Sequence, residues 1–318
     1  MKNTNNTEKS TKSQPSYHAL VVGEALVDIF TPYEGKTINV CGGSPANVAL
    51  GLGRLERPVH LATWIAKDSN GNFIKNHLEE SGVKLTLGSE NAEFTSTAKA
   101  TLDKNGNATY DFNISWQPVK PINQHPIILH VGSIGAILQS GKQTVKQIIE
   151  EYKNTATITY DPNIRPTITG DRNSVYKEII NLATQSDILK ASHEDMQWLE
   201  PNKTHAEFAD FLISKGVSIV VITLAEKGVW VKTKSGITKT YPTSAKHVVD
   251  TVGAGDSFMA GIIDGLWSQE LLGKVAADKL AQINEQQLDY IINHASKIAA
   301  ITISRKGANL PYLIDLNI

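Results

Sequence analysis

The segment Asp250-Thr251-Val252-Gly253-Ala254-Gly255-Asp256 sets two carboxylates around a Gly-Ala-Gly turn, and an apolar stretch follows it through Leu266. Glycines let backbone N–H groups converge without a Cβ in the way. The apolar stretch has helical spacing, and a helix N-terminus carries partial positive charge, so turn and helix together make an anion cradle. Asp256 falls in the first helical turn. A carboxylate there can take a proton from an attacking hydroxyl while the N–H groups of Gly253, Ala254 and Gly255 stabilise a phosphoryl group in transfer. Capping alone accounts for a bare Gly-x-Gly-Asp. It does not account for the longer spacing D-T-x-G-A-G-D-x-F-x-x-G, which extends to Phe258 and Gly261.

Elements must carry this turn. Val248 and Val249 are expected to end a strand leading into it. Short β-branched runs at 19–22, 60–65, 127–131, 156–160, 187–190 and 219–224 read as buried strands. Helical patterns at 45–55, 73–80, 144–152, 175–183 and 206–213 fall between them, with Gly82 expected as the C′ residue of the second. Strands alternating with helices predict an α/β fold with a mostly parallel sheet covered on both faces and its site beyond the strands' carboxyl ends. One region breaks the rhythm: 95–103 and 108–114 flank Lys104-Asn105-Gly106-Asn107, a hairpin signal. These strands are too polar for a core pair and suit a lid over a site.

Composition bounds the rest. The chain has 318 residues, net charge −1 and no basic run, which gives no footprint for nucleic acid or an anionic membrane. One cysteine, Cys41, rules out an intrachain disulfide and multi-cysteine metal sites, and a cytoplasmic location is expected. No run of 18 or more apolar residues spans a membrane. Residues 1–16 are polar, without the apolar core of a signal peptide, and read as a disordered tail before one domain over 17–318.

Beside the 250–261 segment stand four further motifs. They are Val21-Val22-Gly23-Glu24-Ala25-Leu26-Val27-Asp28, Gly42-Gly43-Ser44-Pro45-Ala46-Asn47-Val48-Ala49, Asp161-Pro162-Asn163-Ile164-Arg165-Pro166 and Val221-Ile222-Thr223-Leu224. With Ser304-Arg305-Lys306-Gly307-Ala308 near the end, the set resembles the ribokinase-like (PfkB) family of carbohydrate kinases over about residues 19–312, and within it the fructokinase group. The resemblance implies a ribokinase-like fold: a central mostly parallel sheet flanked by helices, with a small β-strand lid from about 31–40 and 94–118. It implies transfer of the ATP γ-phosphoryl group to a sugar primary hydroxyl, with Asp256 as base.

The same resemblance assigns the other residues. Asp28, expected just after the first strand, accepts hydrogen bonds from sugar hydroxyls; a solvated loop carboxylate is the plain alternative. Gly42 and Gly43 let the sugar approach, and Asn47 reads a hydroxyl, with helix capping as its rival account. Arg165 meets the transferred phosphoryl group or a polar group of the substrate, unless it only makes a surface salt bridge. Lys190, Ser192, Thr223, Gly228 and Ser296 form the nucleotide side. Mg²⁺ arrives on ATP, with Asp195 in its outer shell. The family has Glu at that position, so Glu194 and Asp195 both stay open. Ala225 also departs, standing where the family commonly has Gly. The backbone around Asp250 and Val252, with the 305–307 loop, resembles a monovalent-cation (K⁺) site of some members.

Other chemistries lack their signatures. No G-x-x-x-x-G-K-[ST] occurs, Gly51-Leu52-Gly53 lacks the third glycine of a dinucleotide fingerprint, and His193 and His247 read as ordinary loop histidines. The acceptor stays open between fructose, 2-keto-3-deoxygluconate, ribose and a nucleoside. A catalytically silent sugar- or nucleotide-sensing module is the rival from another class. An exposed polar hairpin also offers free strand edges, so a homodimer is expected.

Overall fold

The computed structural model describes residues 17–33, 35–102, 104 and 108–316. The expected tail and the Asn105-Gly106 turn lie outside the described residues. In chain order the first strands are β1 (His18–Val22), β2 (Leu26–Thr31), β3 (Ile38–Gly42), β4 (Val59–Ala62), β5 (Val83–Leu85), β6 (Thr97–Leu102) and β7 (Ala108–Asn113). They continue as β8 (Pro126–Gly132), β9 (Thr157–Asp161), β10 (Ile188–Ser192), β11 (Ile219–Thr223), β12 (Val229–Thr233) and β13 (Thr238–Tyr241). Between them lie α1 (Ser44–Arg54), α2 (Ser69–Glu79), α3 (Lys142–Tyr152), α4 (Pro166–Thr169) and α5 (Arg172–Gln185). The remaining helices are α6 (His193–Leu199), α7 (His205–Ser214), α8 (Ala254–Ser268), α9 (Ala277–Ala281) and α10 (Glu285–Ile303).

The large sheet runs β13-β12-β11-β10-β9-β8-β1-β4-β5, parallel from β11 to β5, with β12 and β13 added antiparallel at one edge. Strands such as HALVV are buried on both faces because helices cover both sides. One layer packs α1, α2, α8 and α10 on Val21, Ile128 and Val221. The opposite layer packs α3, α5, α6 and α7 on Leu20, Leu129 and Val220.

Two glycines set the helix spacing behind the site. A Cβ on Gly51 of α1 would meet the Ala260 Cβ of α8 at 2.8 Å, and one on Gly261 would meet the Ala295 Cα of α10 at 2.6 Å. Only glycine permits these approaches, which set how closely α8 packs on α1 and on α10.

The six expected core strands and five expected helices are all present. The largest displacement is α2, which begins at Ser69 rather than 73 because Asp68 caps it, its carboxylate accepting from the Gly71 N–H at 2.7 Å. Gly82, with φ 82°, lies two residues beyond the Glu80 cap rather than at C′. Val248 and Val249 do not end a strand. Both are exposed, and the Val249 N–H donates to Ile303 O at 2.7 Å, so this stretch runs along the end of α10.

A second, four-stranded sheet has the order β3-β2-β6-β7. The expected hairpin is its β6–β7 pair, and β2 adds to β6 in parallel. This sheet starts earlier than expected: Asp28 is inside β2, not in a loop at the edge of the large sheet. The chain leaves the core after Gly23 and at once begins a half-buried strand, with Val27 buried, Ile29 partly buried against the core, and Asp28 and Phe30 on the open face.

Candidate active site

Asp256 sits in the first turn of α8, buried to 8 % exposure. The Ser44 hydroxyl donates to its Oδ1 at 2.6 Å and the Asn47 amide donates to its Oδ2 at 2.8 Å. Both donors come from the first turns of α1, where Pro45 pre-sets the helical φ and Gly43, at φ 101°, carries the chain in from β3. Asn47 is therefore neither a cap nor free: its side chain holds the carboxylate. Ser44 had no local signal to single it out.

Gly253 starts α8 in the left-handed region, φ 78°. The N–H groups of Gly255 and Asp256 lie in the first turn, where a helix offers no internal acceptor. The Ala254 N–H is already engaged with Thr251 O at 3.2 Å. Gly255 faces Lys190: a Cβ there would lie 2.8 Å from the lysine Nζ. Lys190 is buried and donates to Asp161 Oδ2 at 2.7 Å. Burial works against its charge, but the neighbouring Asp161 outweighs this and holds its pKa above the usual lysine value.

On the acceptor side, Asp28 presents its carboxylate on the open face of the small sheet. Its surface is accessible, yet the surrounding walls desolvate it and push its pKa up to about 6, with Arg165 pulling it back. A Cβ on Gly42 would lie 2.2 Å from Asp28 Oδ2, so the glycine makes room for the carboxylate. Arg165 is exposed, caps the start of α4 with its backbone and donates from Nη1 to Ile164 O at 3.0 Å. No salt bridge of Arg165 exists among the described residues. A cavity of about 560 Å³ lined by Trp64, Asn91, Glu93, Ser115 and Gln117 does not include the Asp256 cluster.

Of the remaining predicted residues, Ser192 and Thr223 stand side by side at the carboxyl ends of β10 and β11. Ser192 caps α6 in a capping box with Asp195. Asp195 is buried, and its oxygens accept from Ser192 N at 3.0 Å and Ile164 N at 2.8 Å, while Glu194 is exposed. Thr223 ends β11 and is half-buried. Gly228, φ 91°, passes so close to Tyr241 O that a Cβ would lie 2.0 Å from it. Ala225 occupies φ 51°, the left-handed region that favours glycine. Ser296 on α10 is buried, with an Oγ that has no hydrogen-bond partner among the described residues. Asp250 accepts from Val252 N at 3.0 Å and Gly307 N at 2.9 Å, which holds the 250–252 and 305–307 segments together and keeps its pKa low. His193 bonds His205 at 2.9 Å across the α6–α7 surface, and His247 is exposed.

Glu24 is a further buried carboxylate near the first strand. It is buried at the end of β1, and its Oε2 accepts from the Gly135 N–H at 2.8 Å. Burial raises its pKa to about 7, against the Ser133 hydroxyl and the Gly135 N–H, which lower it. The signal available in sequence is a carboxylate one glycine beyond a buried apolar run.

The chain is similar to known proteins along most of its length. Residues 18–315 match the family model for pfkB family carbohydrate kinases. A fructokinase from Rhizobium leguminosarum bv. trifolii is 32 % identical over 292 residues, 85 % of each chain. A double-mutant fructokinase from Vibrio cholerae O395, solved with fructose, ADP and a potassium ion, superposes with TM-score 0.78 at 23 % identity over 96 % of this chain and 99 % of that one. A fructokinase from Xylella fastidiosa with bound ATP gives TM-score 0.76 at 20 % identity, over 95 % and 97 % of the two chains. The chain belongs to the pfkB family of carbohydrate kinases.

Proposed function

We propose that the protein transfers the γ-phosphoryl group of ATP to a primary hydroxyl of fructose. The observation that carries this reading is the Asp256 carboxylate, held by Ser44 and Asn47 at the N-terminus of α8 with the Lys190 ammonium beneath the adjoining turn. An ionised carboxylate has about four lone-pair sites. Two are taken, so Asp256 can still accept the hydroxyl proton as the oxygen attacks. The turn of Gly253, Ala254 and Gly255 supports the charge on the transferred group through the open N–H groups of Gly255 and Asp256 and the helix dipole, since the Ala254 N–H is engaged with Thr251 O.

Asp28, Gly42, Gly43, Asn47 and Arg165 bind the sugar. Lys190, Ser192, Thr223, Gly228 and Ser296 serve the nucleotide. Mg²⁺ enters with ATP and neutralises charge on its phosphates. Asp195 fits its outer shell better than Glu194, because its carboxylate is fixed in place and retains lone pairs for a bound water. The joined 250–252 and 305–307 segments suit a K⁺ ion. A fructokinase relative and a neighbour with bound fructose and potassium support fructose and K⁺ as the first choices. The small sheet acts as the lid that excludes water, and the protein works in the cytoplasm.

The test is a sugar panel with ATP and Mg²⁺, following ADP release. Fructose is expected to give the highest kcat/KM. No ADP above background with any sugar sinks the kinase reading, whereas preference for 2-keto-3-deoxygluconate, ribose or a nucleoside rejects only the acceptor.

A further inference from the structure

Asp161 closes β9, whose inward-facing side chains Thr157, Thr159 and Asp161 are polar and buried beneath the helices that carry the site. The Asp161 carboxylate is fully buried. Its Oδ2 accepts from Lys190 Nζ at 2.7 Å, while Oδ1 has no partner among the described residues. Such a pair is weak support for stability: desolvation of two charges offsets their attraction, and apolar replacements are often as stable. Its orientation is more informative. The lysine stem runs beneath the first turn of α8, and Nζ lies where a Gly255 Cβ would reach 2.8 Å. An ammonium has three N–H donors, and among the described residues Asp161 takes one.

The neighbouring groups leave Asp161 as the carboxylate in contact. Asp195 is committed to the Ser192 and Ile164 N–H groups, and Asp256 to Ser44 and Asn47. Behind the pair, His130 bonds Thr159 Oγ1 at 3.0 Å. Burial, and then Lys190, drive its pKa down to about 3, so it adds no competing charge. A lysine without a partner has a flexible four-carbon stem and loses its proton readily when buried.

We propose that Asp161 is a positioning residue for phosphoryl transfer: its carboxylate pins the Lys190 ammonium beneath Gly255, leaving two N–H donors for the phosphate at the α8 turn. This rests on reading that turn as the phosphoryl site and adds a residue that touches neither sugar nor nucleotide.

A double-mutant cycle on the full chain tests it, using Asp161→Asn, Lys190→Met and both together. Asp161→Asn is expected to lower kcat at least about tenfold while KM for the sugar moves less than about threefold. The double variant should be within about twofold of Lys190→Met alone, because the carboxylate acts through the lysine. Wild-type kcat in Asp161→Asn overturns the proposal, as does a double variant about tenfold slower than Lys190→Met. Should Asp161→Asn fail to fold, leaving Lys190 buried and unpaired, the double variant carries no lone charge, and its comparison with Lys190→Met decides. A wild type inactive on every sugar rejects the kinase reading instead, and ATP affinity by calorimetry then decides this one. An equal loss in both single variants supports the proposal, and unchanged affinity in Asp161→Asn overturns it.

Discussion

At the residue scale, Asp256 combines a role readable from its neighbours in sequence with a setting that is not. The proposed anion site follows from the local Gly-Ala-Gly turn, but Ser44 and Asn47 reach the carboxylate from more than 200 positions away. Replacing Asp256 with Asn removes the proton acceptor and keeps the shape, so kcat is expected to fall by about 10²–10⁴-fold with ATP binding roughly intact. Steady-state kinetics and calorimetry check this, and a variant keeping more than a tenth of wild-type kcat removes Asp256 from the role. Ala225 offers a stability test. Its φ of 51° costs an L-residue about 1–2 kcal/mol, partly offset by the entropy glycine loses on folding. Ala225→Gly should therefore stabilise the protein by about 0.5–1 kcal/mol in urea unfolding; a lower midpoint contradicts the strain.

Glu24 gives a pH prediction at the same scale. Its folded pKa, about 7, is raised by burial above the ordinary glutamate value of 4.5, so the folded state prefers the protonated carboxyl. That contribution is fully present below pH 4.5 and is lost as pH rises through 7. It amounts to on the order of 3 kcal/mol. Glu24→Gln keeps an oxygen for the Gly135 N–H and cannot ionise. Its unfolding free energy should decline less between pH 5.5 and 8.5 than that of the wild type, and parallel pH curves for the two proteins rule the account out.

At the scale of elements, the hydrophobic period located the core strands and helices well, because burial on a covered sheet writes continuous apolar runs. It is weaker where burial is one-sided or edges intervene: β5, β12 and β13 carry no period of their own, and the lid strands expected over about 31–40 appear as β2 and β3, over 26–31 and 38–42. Asp28, expected just after the first strand at the edge of the large sheet, belongs instead to a strand of the small sheet. The spacing of α8 against α10 depends on Gly261, whose added Cβ would meet the Ala295 Cα at 2.6 Å. A backbone atom cannot swing aside, so Gly261→Ala should destabilise by about 1–3 kcal/mol despite alanine's better helix propensity. It should also lower kcat, because α8 carries Asp256. Unchanged urea midpoint and kcat would show that the crossing relaxes freely.

At the scale of the molecule, the small sheet's open face joins Asp28 to Phe30, Ile38, Val40 and Tyr110, with Ile38 55 % and Tyr110 64 % exposed. Apolar side chains gathered on one face beside two free sheet edges suit a second copy of the chain. Light scattering at micromolar concentration is expected to give twice 34.6 kDa, and Tyr110→Lys should shift the mass toward the monomer. A wild-type mass of 34.6 kDa counts against the homodimer.

By itself the sequence determined the α/β class, the core strands and helices, and the glycine turn that leads Asp256 into the first turn of a helix, since each depends on contacts within a few residues. Only the tertiary structure decided that Ser44 and Asn47 grip Asp256, that Asp161 holds Lys190 under Gly255, and that Asp28 rides on a separate sheet. Those facts depend on helix crossings and strand order. Such pairings join distant segments through close approach and burial, and no local period encodes them.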